Sequence, residues 1–116
     1  MLYSEGLKKS RDFSRVYREG KSKSNALMVL YSCPNGTDRN RLGIVVSKKV
    51  GNSVVRHRLK RLVRENYRLN EGCYSRGSDL VVVMRRGSDR ADFYAIEASL
   101  NQLSRNLGLL VSHEMA

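Results

Sequence analysis

The sequence predicts one domain that mixes helices and strands, and three observations carry that reading. Apolar side chains recur at helical spacing in three stretches, residues 7–19, 53–68 and 91–110. Short runs of strand formers, ALMVLYSC, LGIVV and LVVV, lie between them and are bounded by turn residues. A length of 116 residues suffices for one ordinary core and not for two, so residues 1–116 are expected to form a single domain.

In the first expected helix, 7–19, Phe13, Val16 and Tyr17 lie three and four apart on one face, with Leu7 before them. Arg11, Arg15 and Arg18 lie on other faces. No Glu or Gln follows Ser10 at the capping-box spacing, so the start is unmarked, and Gly20 is the stop. Residues 21–33 read as extended. Leu27, Val29, Tyr31 and Cys33 share one side there, and Met28, Leu30 and Ser32 the other. Asn25 interrupts this run and leaves 21–24 as an edge strand of its own. The turn signal Pro34-Asn35-Gly36 leads to a strand at 42–46, expected to run antiparallel to the preceding one.

The stretch 69–78 is loop-like, and the continuous apolar run within 79–84 suits a central strand covered on both faces. In the last helix, 91–110, Phe93, Ile96, Leu100, Leu103 and Leu107 share a face. The tail from Val111 is expected to fray.

Helix 53–68 organises the chain. Asn52 suits the cap of its first turn, and Val55, Leu59, Leu62 and Val63 form one buried stripe that Asn66 closes. Arg56, His57, Lys60, Arg61, Arg64 and Arg68 fan across the opposite side, with Arg58 on the flank. With Lys48 and Lys49, eight Lys or Arg fall within residues 48–68 against one acid, Glu65. Like charges one turn apart, such as Arg56–Lys60 and Lys60–Arg64, disfavour an isolated helix by roughly 0.2–0.5 kcal/mol a pair. A solvated face kept for solubility would intersperse both signs. The pattern therefore points to a polyanion as counter-charge.

Composition agrees. The formal net charge is +11, from 22 basic and 11 acidic side chains, with pI ≈ 10.2, a balance suited to nucleic acid or an anionic surface. No 18-residue apolar run is present for a membrane span and no apolar run of secretion-signal length, so a cytoplasmic setting is expected. Cys33, Cys73, His57 and His113 lack metal-ligand spacing, and a reducing setting makes a disulfide the minority reading. Neither GxxxxGK[ST] nor GxGxxG occurs; Gly51-Asn52 reads as a tight helix entry. Asp79, Asp89, Asp92 and Glu97 are scattered, so no protein-borne two-metal nuclease is supported, and Asp79 reads as an edge or turn residue.

The run SKKVGNSVVRHRLKRLVRE, starting at Ser47, is specific. So are LKKSRDFSRVYREGKS at 7–22, MVLYS at 28–32, RLGIVVSKKVGN at 41–52 and SDLVVVMRR at 78–86. In their order and spacing, which take in most of the chain, they strongly resemble the bacterial ribonuclease P protein subunit, the small basic partner of a catalytic RNA. The family's usual Arg-Asn-Arg core reads Arg56-His57-Arg58 here. His57 thus replaces an amide that both donates and accepts with a ring of fixed geometry; it is equally well read as an exposed helix residue.

The resemblance implies an α+β fold, a two-layer α/β sandwich in the order αβββαβα. Its four-stranded sheet would carry a left-handed β-α-β crossover, as in the second domain of ribosomal protein S5. That handedness comes wholly from the resemblance, because general rules favour the right-handed form. The implied function is as a ribonuclease P subunit that binds the catalytic RNA and the 5′ leader of precursor tRNA. The reactive site would lie on the RNA, Mg²⁺ would be bound mainly by RNA, and neither a membrane nor an obligate protein partner is implied. Positions matching Lys48, Lys49, Asn52, Arg56, His57, Arg58, Lys60, Arg61, Arg64 and Arg68 would face or support the catalytic RNA. Phe13, Tyr17 and Tyr31, with Arg11, would line the leader cleft. Pattern alone reads these aromatics as core packing; as cleft walls they would stack bases. The alternative is a structural RNA-binding protein of ribosomal type, which needs the same basic helix but no single-strand cleft; full burial of Tyr17 and Tyr31 would favour it. A self-sufficient nuclease lacks its residues.

Overall fold

The apolar run at residues 80–83 forms the middle of a mixed five-stranded sheet. A computed structural model describes residues 4–111. In chain order the elements are β1 (Ser4–Gly6), α1 (Ser10–Glu19), β2 (Lys21–Ser24), β3 (Met28–Pro34) and β4 (Asn40–Val45). Then come α2 (Ser53–Asn70), a short 3-10 turn (Glu71–Cys73), β5 (Ser78–Met84) and α3 (Phe93–Asn106). The sheet order is β1-β4-β5-β3-β2; β5 runs parallel to β4 and antiparallel to β3, and β1 runs parallel to β4.

Two sequence expectations change here. The strand at 42–46 does not pair with its predecessor, because β5 inserts between β3 and β4. Leu80, Val81 and Val82 are buried on both faces, which is the burden of a central strand. The parallel β4–β5 pair then needs a crossover, and α2 supplies it. The expected four strands become five because Ser4–Gly6 adds a three-residue edge. Its polar SEG sequence has no periodicity to betray it.

The two faces of the sheet are covered unequally. α2 and α3 bury one face, with Leu59, Val63, Tyr67, Ile96, Leu100 and Leu103 packed on Leu30, Leu42, Leu80 and Val82. α1 lies on the other face, over Leu7, Cys33 and Val81, so the two-layer sandwich gains a partial third layer. A three-turn helix cannot span five strands. Val29, Val45 and Val83 consequently stay half-buried beside it, and the expectation that 79–84 is covered on both faces holds to Val82 and fails at Val83.

Local chemistry sets the helix ends. α1 begins at Ser10, not at residue 7, since Leu7 donates its N–H to the Leu42 carbonyl (2.9 Å) and joins the sheet. Asn52 caps α2 by accepting the Val55 N–H at 3.0 Å, and Asp92 caps α3 by accepting from Ala95 at 2.8 Å, so α3 starts after residue 91. It stops before 110 because Gly108 adopts φ +70°, letting the Leu109 N–H reach the Ser104 carbonyl at 2.9 Å. Of the tail, only Val111 belongs to the described residues.

Candidate nucleic-acid interface

Leu59, Val63, Asn66 and Tyr67 fasten α2 to the sheet and thereby settle which way its cations point. Tyr67 extends the expected stripe by one position, and its hydroxyl meets Ser4 at 2.7 Å and the Asn40 amide at 3.2 Å. Opposite this seam His57, Arg61, Arg64 and Arg68 are exposed, and Arg56 and Lys60 are half-exposed on the flank. Lys48 and Lys49 project from the turn between buried Val46 and Val50. Asn52 is occupied as the cap.

The described ion pairs engage only Arg15, Arg18, Arg41 and Arg68 among the cations. Lys48, Lys49, His57, Lys60, Arg61 and Arg64 make no contact ion pair among the described residues, although Arg61 lies near enough to Glu65 to help lower its pKa. Arg68 pairs with Glu65 on the surface, and that bond holds the Glu65 carboxyl below its usual range. Arg58 behaves differently from the rest. Its guanidinium donates to the Ala91 carbonyl at 2.9 Å and to the Asp89 carbonyl, tying α2 to the loop before α3. These bonds make it a brace for that loop and use two of its five N–H donors.

The second candidate surface is the partly open sheet face. Strand register sets Gly43, Val81, Tyr31 and Ser22 in one row across it, and Val45, Val83, Val29 and Ser24 in the next. α1 presents Phe13 and Tyr17 toward these rows. Tyr17 stands edge-on to Tyr31 with centroids 5.0 Å apart, and 6.5 Å from Phe13. The three rings form a wall above a floor of half-buried valines. Tyr17 remains 43% exposed and Tyr31 half-buried, so neither is sealed in a core. Partial burial, then the neighbouring Tyr31, raises the Tyr17 pKa. Arg11 is exposed but lies about 160° round the helix from Phe13, outside this wall. Sequence reading missed Val45 and Val83, whose place beside Val29 depends on strand order.

Asp79 is the other surprise, since it is no turn residue. It is fully buried, and both its oxygens are occupied. Oδ1 accepts from Arg41 Nε (2.7 Å) and the Asn35 amide (3.0 Å); Oδ2 accepts from Arg41 Nη2 (2.7 Å) and from Arg15. Burial alone would raise its pKa. The hydrogen bonds from Arg41 and Asn35, the Arg41 charge and the Arg15 bond outweigh that and hold it below the ordinary value. Arg41 also approaches Asp12 at 3.5 Å. Among the described residues no three His, Cys, Asp or Glu side chains converge to hold a metal ion, and no helix is long and apolar enough to cross a membrane.

Comparison with known proteins matches this architecture. The profile of the family Ribonuclease P matches residues 1–108. The ribonuclease P protein component of Lachnoclostridium phytofermentans is 49% identical over 111 residues, covering 96% of each chain. That of Clostridium acetobutylicum is 46% identical over 110 residues, 93% of this chain and 92% of the relative. Among solved structures, the Staphylococcus aureus RNase P protein superposes with TM-score 0.85 at 34% identity, covering 94% of this chain and 98% of that one. The Thermotoga maritima RNase P protein gives 0.78 at 41% identity, covering 86% and 96%. A basic helix over one sheet face, an open aromatic cleft on the other and this breadth of likeness lead to one conclusion: the chain belongs to the ribonuclease P protein family.

Proposed function

We propose that this chain, the protein subunit of the RNA-catalysed endoribonuclease ribonuclease P, works through two surfaces on opposite faces of its sheet. The outer side of α2, with Lys48 and Lys49, takes the backbone of the catalytic RNA. The cleft walled by Phe13, Tyr17 and Tyr31 takes the single-stranded 5′ leader of precursor tRNA. One observation carries the division: the three aromatics stand partly exposed above a half-open apolar floor, a cleft that a structural RNA-binding module would not need. Stacking on such rings contributes roughly 1–3 kcal/mol per base and tolerates any sequence, which suits leaders that differ between tRNAs.

The exposed cations of α2 act by displacing counterions from phosphate, so their effect falls with salt. Arg61 and Arg64 offer planar forks and Lys60 a flexible point charge. His57, exposed among them, serves as one more donor and carries no proton-transfer role. Arg58 supports this face through its brace to residues 89 and 91, and Arg68 contributes less while paired with Glu65. Holding the leader on one face and the catalytic RNA on the other aligns the scissile phosphate without protein chemistry at the bond.

Catalysis by RNA in this family depends on Mg²⁺, and we assign that ion to the RNA. Among the described residues no three His, Cys, Asp or Glu side chains converge to hold it, and fully buried Asp79 has its oxygens committed to Arg15, Arg41 and Asn35. The deciding experiment compares cleavage of leader-bearing tRNA by protein alone, RNA alone and both at near-physiological Mg²⁺. Full activity only with both supports the reading, and cleavage by protein alone sinks it.

A further inference from the structure

Buried Asp79 has no part in either RNA surface, yet it gathers more side-chain hydrogen bonds than a strand residue needs. It receives α1 through Arg15 and β4 through both nitrogens of the Arg41 fork. Arg15 also points Nη1 at Cys33 Sγ (3.2 Å) and the Pro34 carbonyl (3.4 Å). Arg41 turns its remaining nitrogen to Asp12. Both polar side chains on that flank of α1, Asp12 and Arg15, are therefore held by one Asp79–Arg41 unit.

The helix needs such a hold. α1 has three turns, no side-chain cap and a single buried residue, Val16. One fully buried side chain, with Phe13 only half-buried beside it, fixes the roll of a helix weakly. On a 100° wheel Asp12 and Arg15 lie to one side of Val16, and Phe13 and Tyr17 to the other. Rolling α1 away from Asp79 would swing the aromatic pair against or off the sheet. The register row of Arg41, Asp79 and Cys33 adjoins the row of Gly43, Val81 and Tyr31, so clamp and aromatic wall share neighbouring lines of the same face. A buried ion pair contributes little net stability compared with apolar side chains of equal size; what it imposes is geometry.

We infer that Asp79 is a positioning residue for the leader: by clamping Arg15 and Arg41 it sets the roll of α1, and with it the height of Phe13 and Tyr17 over the sheet. The inference deepens the cleft reading above and rests on it.

The test uses the holoenzyme reconstituted from full-length protein and its catalytic RNA, with leader-bearing and leaderless tRNA at matched salt. Thermal stability and catalytic-RNA affinity are read in parallel. Asp79→Asn and Arg15→Gln are each expected to weaken leader-bearing substrate roughly five- to tenfold, about one stacking contact, with leaderless tRNA unchanged. Arg15→Lys, which keeps a charge toward Asp79, should recover part of the loss. Arg15→Gln, at a part-exposed position, carries the test should Asp79→Asn fail to fold. Equal losses on both substrates, or an intact leader preference, would overturn the clamp. Tyr17→Ala separates the two ideas. If it too leaves leader preference intact, the cleft reading fails; if it alone removes the preference, only the clamp does.

Discussion

Gly43 lies so close beneath Phe13 that a β-carbon placed on it would stand 2.6 Å from the ring. The missing side chain is what lets the aromatic wall rest on the sheet. Gly43→Ala is expected to push Phe13 outward with little effect on the fold, because the atoms met are the far end of a half-exposed side chain that can turn aside. Affinity for leader-bearing tRNA should fall about three- to tenfold, part of one stacking interaction, while leaderless tRNA binds as before. Paired binding isotherms for the two substrates check this.

Arg58 and Arg61 are three residues apart and should respond in different currencies. Arg61→Ala removes an exposed cation, and the log–log salt slope of catalytic-RNA binding should fall by about one. Arg58→Ala leaves the carbonyls of Asp89 and Ala91 without their donor. It should lower stability by about 1–3 kcal/mol with a smaller change in slope. Salt titrations alongside urea unfolding distinguish them.

Leu59 is fully buried at the centre of the seam under α2. Leu59→Ala should cost about 2–5 kcal/mol through lost contact and the cavity left behind. Urea denaturation measures the loss. RNA affinity, compared at temperatures where both proteins are folded, should move little.

Stability at low pH should follow Asp79. Its folded pKa is depressed, so its contribution is fully present above the unfolded value, about 3.9, and is lost as pH falls through the lower folded value. Urea midpoints between pH 2 and 5 should decline in the parent and decline less in Asp79→Asn.

Tyr74 contributes to the alkaline limb beside Tyr67 and Tyr17, whose pKa values burial also raises. The Tyr74 hydroxyl meets Ser104 at 2.7 Å, and burial pushes its pKa up to about 12. Only the neutral phenol is accommodated, so its contribution is intact below the unfolded value near 10. It is lost as pH climbs toward 12, by roughly 2–3 kcal/mol in all. Tyr74→Phe should remove most of that share of the decline in unfolding experiments from pH 9 to 12.

Periodicity made the helices and the stripe of α2 legible, because Leu59 and Val63 obey a local rule. The wall could be read as far as Phe13, Val16 and Tyr17 sharing a face. What stayed hidden depends on partners distant in the chain. β5 sits between β3 and β4 because of what covers its two faces, and the floor residues Val45 and Val83 meet only through that order. Helical spacing sets Arg58 on the flank and Arg61 on the outer side, but only the loop at 89–91 reveals the carbonyls that Arg58 braces. Asp79 read as an edge or turn residue because its counter-charges come from positions 15 and 41.

β2, with all four KSKS residues exposed, forms one margin of the sheet and is bonded to β3 on one side alone. A bare strand beside an open apolar floor invites another chain to dock and extend the ladder. Lys21 and Lys23 put like charge along that margin, so two copies approaching edge to edge repel. The margin beside the trough can therefore stay unpaired without drawing in the same edge of a second copy.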